Sequence, residues 1–62
     1  MPIAKIEMLE GRTIKQKEAL VEAITNAIIE IAEVQREHVW VVIEEVKKEN
    51  WGVGGHLLSK KP

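Results

Sequence analysis

The chain contains no cysteine, no phenylalanine and no tyrosine, and only two tryptophans in 62 residues. Without cysteine there is no disulfide, and the commonest soft metal ligand is missing. The two histidines, His38 and His56, lack the short spacing of helical or loop metal sites, so no metal is expected. Charge of one sign is also lacking: nine basic and ten acidic residues are mixed along the chain, giving a formal net charge of −1. There is thus no basic groove interleaved with stacking aromatics, and nucleic acid is not an expected partner. Apolar runs fall far short of a membrane span, and no basic segment followed by an apolar stretch opens the chain. A cytoplasmic protein with no membrane contact is expected.

These absences bear on stability. One domain over residues 1–62 is the natural reading, and a domain of this size buries only about 60% of the surface its unfolded chain exposes. Small domains are reinforced by disulfides, a metal or association. With the first two set aside, self-association is expected.

What is present reads as strand, helix, strand. From Pro2 to Leu9, Ile3, Ala4, Ile6, Met8 and Leu9 alternate imperfectly with Lys5 and Glu7, which suits a strand that proline is free to begin. Glu10-Gly11-Arg12 breaks the pattern. Thr13 followed by Gln16 is a capping box and predicts a helix start. Leu20, Ala23, Ile24, Ala27, Ile28 and Ile31 then form one stripe of an amphipathic helix running to about Ala32. Val34 to His38 is a turn or short helical connection, and Val39-Trp40-Val41-Val42-Ile43 is a strand apolar on both faces.

A crossover of this length joins parallel strands right-handedly. The fold class expected is α/β: a single βαβ unit with parallel strands. Trp51-Gly52-Val53-Gly54-Gly55 adds a short C-terminal hairpin. The helix covers one strand face. The other, with Trp40 and Val42, has nothing in the chain to cover it, which again predicts a homo-oligomer.

Few residues suit catalysis. Glu44 and Glu45 are adjacent, point to opposite strand faces and read as surface glutamates. The tail glycines do not open a capped helix and read as turn residues rather than a phosphate loop. Pro2 is different. Removal of Met1, expected before so small a residue, leaves a free secondary amine at the tip of a strand. An α-amino group titrates at about 7.7–8.0, and an apolar pocket or a nearby cation lowers that value, making a neutral general base at physiological pH. The plainer reading is that Met-Pro merely starts a strand.

Taken together, Pro2-Ile3-Ala4-Lys5-Ile6, Leu9-Glu10-Gly11-Arg12, Gln16-Lys17-Glu18-Ala19-Leu20-Val21, Ile43-Glu44-Glu45 and Trp51-Gly52-Val53-Gly54-Gly55 closely resemble the 4-oxalocrotonate tautomerase family over essentially the whole chain. The resemblance implies a hexamer, a trimer of dimers, whose active sites draw on more than one chain. It implies that Pro2 is the acid/base that moves a proton in an unsaturated 2-oxo or 2-hydroxy acid, that Arg12 holds a substrate carboxylate, and that Trp51 lines the pocket. The family's best-known members carry a second arginine where this sequence has Trp40. Trp offers one indole N–H and no charge. Trp40 is therefore expected to meet the substrate in that arginine's stead and to weaken dicarboxylate turnover. Arg36, four residues upstream, reads as solvated.

The function expected is a cofactor-independent tautomerase or isomerase acting on 2-hydroxymuconate-like dienols from aromatic hydrocarbon breakdown, or on simpler enol acids. No cofactor is expected because nothing is oxidised and no phosphate moves. The alternatives are iminium-forming or hydratase chemistry at the same proline, and a non-catalytic oligomeric assembly.

Overall fold

The computed structural model describes residues 1–60. Strand β1 (Ile3–Leu9) leads through residues 10–13 into helix α1 (Ile14–Ala32). A 3-10 turn at Arg36–His38 precedes strand β2 (Trp40–Val46), and a second, Lys48–Asn50, leads to the two-residue strands β3 (Gly52–Val53) and β4 (His56–Leu57). β1 and β2 pair in parallel from Ile3 opposite Trp40 to Leu9 opposite Val46, so the βαβ unit is the one the periodicity predicts.

Local chemistry sets the boundaries. Thr13 Oγ1 accepts from the Gln16 N–H at 3.1 Å while Gln16 Oε1 accepts from the Thr13 N–H at 2.9 Å, so two helix-start donors are satisfied reciprocally. At the other end Glu33 adopts a left-handed conformation, φ 55°, and its N–H bonds the Ile29 carbonyl. Gly54 and Gly55 both have positive φ, 62° and 88°, the geometry a two-residue turn needs to join the antiparallel pair β3 and β4.

Two details differ from the sequence-based expectation. β2 begins at Trp40 rather than Val39 and runs past Ile43 to Val46, because Glu44 and Glu45 continue the ladder opposite Glu7 and Met8. The helix face turned inward carries Leu20, Val21, Ile24, Thr25, Ile28 and Ile29, whereas Ala23, Ala27 and Ile31 are exposed. Leu20 to Ile31 is apolar around more of the helix than one narrow sheet can cover.

A two-stranded sheet under one helix makes a thin layer. Thr25, 8% exposed, is the single buried residue among those described, and no apolar residue among them is buried. The Cα radius of gyration is 14.9 Å, against about 11 Å for a compact chain of this length. Ala4, Ile6, Met8, Val41 and Ile43 are half-buried, on the same sheet face as Glu45, which meets the helix. On the opposite face Ile3, Trp40 and Val42 are 58%, 51% and 42% exposed, beside the Lys5–Glu44 ion pair. The uncovered face is thus a finding of the structure as well as of the sequence.

Candidate functional site

Because β1 and β2 are parallel, each end of the sheet gathers one set of residues. At the start of both strands lie Pro2 and Trp40. The Trp40 N–H bonds the Pro2 carbonyl at 3.0 Å, which fixes the backbone on either side of the residue whose nitrogen matters. Pro2 is half-buried and Trp40 exposes half its surface, with Ile3 on the same face. This end is apolar.

The far end is charged. Arg12 follows the strand in the turn that Gly11, with φ 127°, makes toward α1. An open groove of about 520 Å³ is lined there by Glu10, Gly11, Arg12, Lys17, Glu45, Lys48 and Glu49, within the size range of small-molecule sites. The two ion pairs among the described residues, Lys5–Glu44 and Lys17–Glu45, leave the exposed Arg12 out. Trp51 belongs to this end, since it follows β2 by way of the Lys48–Asn50 turn. It is half-buried, its N–H bonds the Lys48 carbonyl and its carbonyl accepts from the Leu58 N–H at 2.9 Å.

The structure therefore joins Pro2 with Trp40 and sets Arg12 after β1 and Trp51 after β2, beyond the other end of the strands, with no bond between those two; it does not join Pro2 with Arg12. Seven strand residues separate them, about 20 Å at the rise of an extended chain. No side-chain motion within one chain closes that gap. Arg36 does not bridge it either: Arg36 Nη2 donates to Asn26 Oδ1 of α1 at 2.6 Å, so this side chain is held on the helix rather than merely solvated.

Sequence reasoning overlooked one pair. Lys17 Nζ stands 2.5 Å from Glu45 Oε1. The Glu45 carboxyl titrates below its ordinary range, chiefly because it accepts this hydrogen bond, with the Lys17 charge and the Gly11 N–H acting in the same direction against some desolvation. Lys17 and Glu45 are 28 residues apart, so only the parallel register reveals them as partners.

Comparison with known proteins gives this geometry a setting. Residues 2–61 match the family described as "Tautomerase enzyme". A 2-hydroxymuconate tautomerase of Pseudomonas putida is 47% identical over 55 residues, covering 89% of this chain and 87% of the relative. Among solved structures, the crystal structure of YwhB, a homologue of 4-oxalocrotonate tautomerase, superposes with a TM-score of 0.94 at 41% identity, covering 98% of this chain and all of the other. A heterohexameric 4-oxalocrotonate tautomerase from Chloroflexus aurantiacus J-10-fl gives 0.89 at 35% identity, covering 97% of each chain. With its βαβ unit, short C-terminal hairpin and near-complete coverage by such relatives, the chain belongs to the tautomerase family and is an enzyme of the 4-oxalocrotonate tautomerase kind.

Proposed function

We propose that the protein catalyses cofactor-free tautomerisation of a small unsaturated 2-hydroxy acid, with Pro2 as the proton carrier and Arg12 of another protomer as the carboxylate anchor. The observation that carries this reading is the segregation just described. A proline at the apolar end and an arginine at the charged end serve one substrate only if two chains meet end to end. The uncovered face with Ile3, Trp40 and Val42, the thin fold and the hexameric relative support a homo-hexamer built as a trimer of dimers.

In the processed chain, freed of Met1, the Pro2 nitrogen is a secondary amine rather than an amide. The apolar setting beside Ile3 and Trp40 disfavours its ammonium form and keeps it neutral near physiological pH. The neutral amine takes the proton of the 2-hydroxyl group. The O–H electron pair forms the C=O bond, the double bonds shift along the conjugated chain, and the proton held on Pro2 is delivered to the carbon at the far end. Atoms balance, and the amine returns to its starting state. Arg12 holds a carboxylate and favours electron flow toward it. Trp51 limits water on one side, and Trp40 meets the substrate where a second cation would otherwise stand. 2-Hydroxymuconate and simpler enol monoacids fit this pocket, with the monoacid favoured because the indole supplies no counter-charge.

The test is an intact-mass measurement followed by an ultraviolet assay of the same sample with 2-hydroxymuconate and an enol monoacid. Met1 should be absent, and Pro2→Ala in a correctly assembled protein should lower kcat by about 10²–10⁴, the usual worth of a positioned acid/base. Turnover by Pro2→Ala at the wild-type rate rules the proposal out. Borohydride trapping of an aldehyde on Pro2 in place of enol turnover would transfer the function to iminium chemistry.

A further inference from the structure

We infer that Lys48 is a second carboxylate-binding residue, sharing the acid group of the substrate with Arg12. This inference rests on the proposed anchor role of Arg12 and adds a residue to it. Its basis is the way the two strands leave the sheet. β1 and β2 end side by side, with Leu9 opposite Val46, and the Glu10 N–H bonds the Val46 carbonyl at 3.1 Å, which carries the pairing one residue further. Arg12 follows Glu10 by two residues, Lys48 follows Val46 by two, and both line the same groove of about 520 Å³. Each stands beside a hydrogen-bonded turn. The Thr13–Gln16 cap closes one segment, and the Lys48–Asn50 turn closes the other, with the Lys47 carbonyl accepting from the Asn50 N–H at 2.8 Å. The Lys48 carbonyl in turn accepts from the Trp51 N–H at 3.3 Å, so Lys48 stands between the Arg12 groove and the aromatic proposed to line the pocket.

The charges in the groove single out these two cations. Lys17, the third, is engaged by Glu45 at 2.5 Å. Arg12 and Lys48 belong to neither of the ion pairs among the described residues, Lys5–Glu44 and Lys17–Glu45, and both are exposed. A carboxylate offers about four lone-pair sites on two oxygens, so the fork of a guanidinium leaves room on it for an ammonium. Glu10 and Glu49 line the groove as well and balance the two free cations, so an anion is held there by short charge-assisted bonds rather than drawn in from a distance. The free cations of the site thus lie together, while Trp40 brings none to the proline end. That distribution suits an acid with one carboxylate.

The experiment compares an enol monoacid with its methyl ester on the assembled enzyme, with oligomeric mass checked for every variant. Lys48→Met, which keeps much of the side chain's length but not its charge, should raise KM for the acid about fivefold, leave kcat within about twofold, and leave KM for the ester at the wild-type value. Lys48→Arg, which restores the charge, should recover most of the loss. If Arg12→Ala raises KM for the acid while Lys48→Met does not, the assignment of Lys48 is overturned. An equal rise for acid and ester in Lys48→Met overturns it too, since Lys48 then acts on structure rather than on the carboxylate. If Arg12→Ala leaves KM for the acid unchanged, the anchor role itself has failed and the inference falls with it, an outcome separable from the first two.

Discussion

Lys17 Nζ and Glu45 Oε1 lie 2.5 Å apart, fastening the first turn of the helix to the last residues of the second strand. Lys17 stands three residues from the start of α1 and Glu45 one residue from the end of β2, where fraying begins, so the pair holds together a corner that no buried apolar side chain secures.

This corner makes stability pH-dependent in a definite direction. The Glu45 carboxyl is lowered from its ordinary value of 4.5, first by the Lys17 hydrogen bond, so the folded state binds fewer protons than the unfolded chain across the acid range. Stability from this group is therefore fully present above its ordinary value and is lost as pH falls through the lowered one. The groups facing it are Lys17, Arg12 and Lys48 on the positive side and Glu10 and Glu49 on the negative. Thermal unfolding at fixed protomer concentration should show wild type more stable than Glu45→Gln near neutrality, with the gap closing in strong acid. A gap independent of pH would assign the difference to packing.

The open sheet face yields a second prediction. Ile3, Trp40 and Val42 present apolar surface beside one ion pair, and burying a valine contributes about 1.5–3 kcal/mol. Val42→Glu adds a charge to the face where the proposed partner sits, opposite Lys5 in the register, and taking such a charge out of water costs several kcal/mol even beside a cation. Sedimentation velocity at micromolar protomer should show the variant as smaller species than wild type. Glu30→Lys, on an exposed part of the helix, should leave the assembly intact.

How much of this was legible in the sequence depends on the range of each interaction. Thr13 and Gln16 are three residues apart, and Gly54 and Gly55 are adjacent, so the cap and the hairpin could be read directly. The end of β2 could not, because the apolar run stops at Ile43 and nothing near in sequence shows what holds Glu44 and Glu45 in the ladder, each of which meets a distant cation, Lys5 on one face and Lys17 on the other. The inward helix face was also ambiguous. Apolar residues from Leu20 to Ile31 cover several faces, and which of them turns inward is decided by the sheet rather than by periodicity. Pro2 and Arg12 were legible as candidates, and their separation followed from the length of β1, but the Lys17–Glu45 pair beside the Arg12 turn required the strand register.

The helix start offers a third prediction with a local cause. Thr13→Ala removes the oxygen that accepts from the Gln16 N–H and should cost about 1 kcal/mol. Gln16→Ala removes the reciprocal bond to the Thr13 N–H. Because the two bonds form one box, the double variant should lose less than the two single losses added together, as read from denaturant unfolding at matched concentration. Strict additivity would mean that the caps act independently.

The last prediction concerns specificity at the proline end. Trp40 begins β2 opposite Ile3, its N–H holds the Pro2 carbonyl at 3.0 Å, and its side chain is half exposed on the open face. The backbone bond does not depend on the side chain, so Trp40→Arg keeps the strand pairing while placing a cation next to the proposed base. That cation has two separable effects. It gives a second substrate carboxylate a charge-assisted partner, a contact whose loss elsewhere costs about 10²–10³ in kcat. It also disfavours a protonated Pro2, lowering the pH at which the amine becomes neutral. The ratio of kcat/KM for 2-hydroxymuconate to that for an enol monoacid should rise about tenfold or more in Trp40→Arg, and the acidic limb of the pH–rate profile should move to lower pH. A shifted profile with an unchanged ratio would mean that the new charge reaches Pro2 but not the substrate's second carboxylate, and that specificity for one carboxylate is set elsewhere than at Trp40.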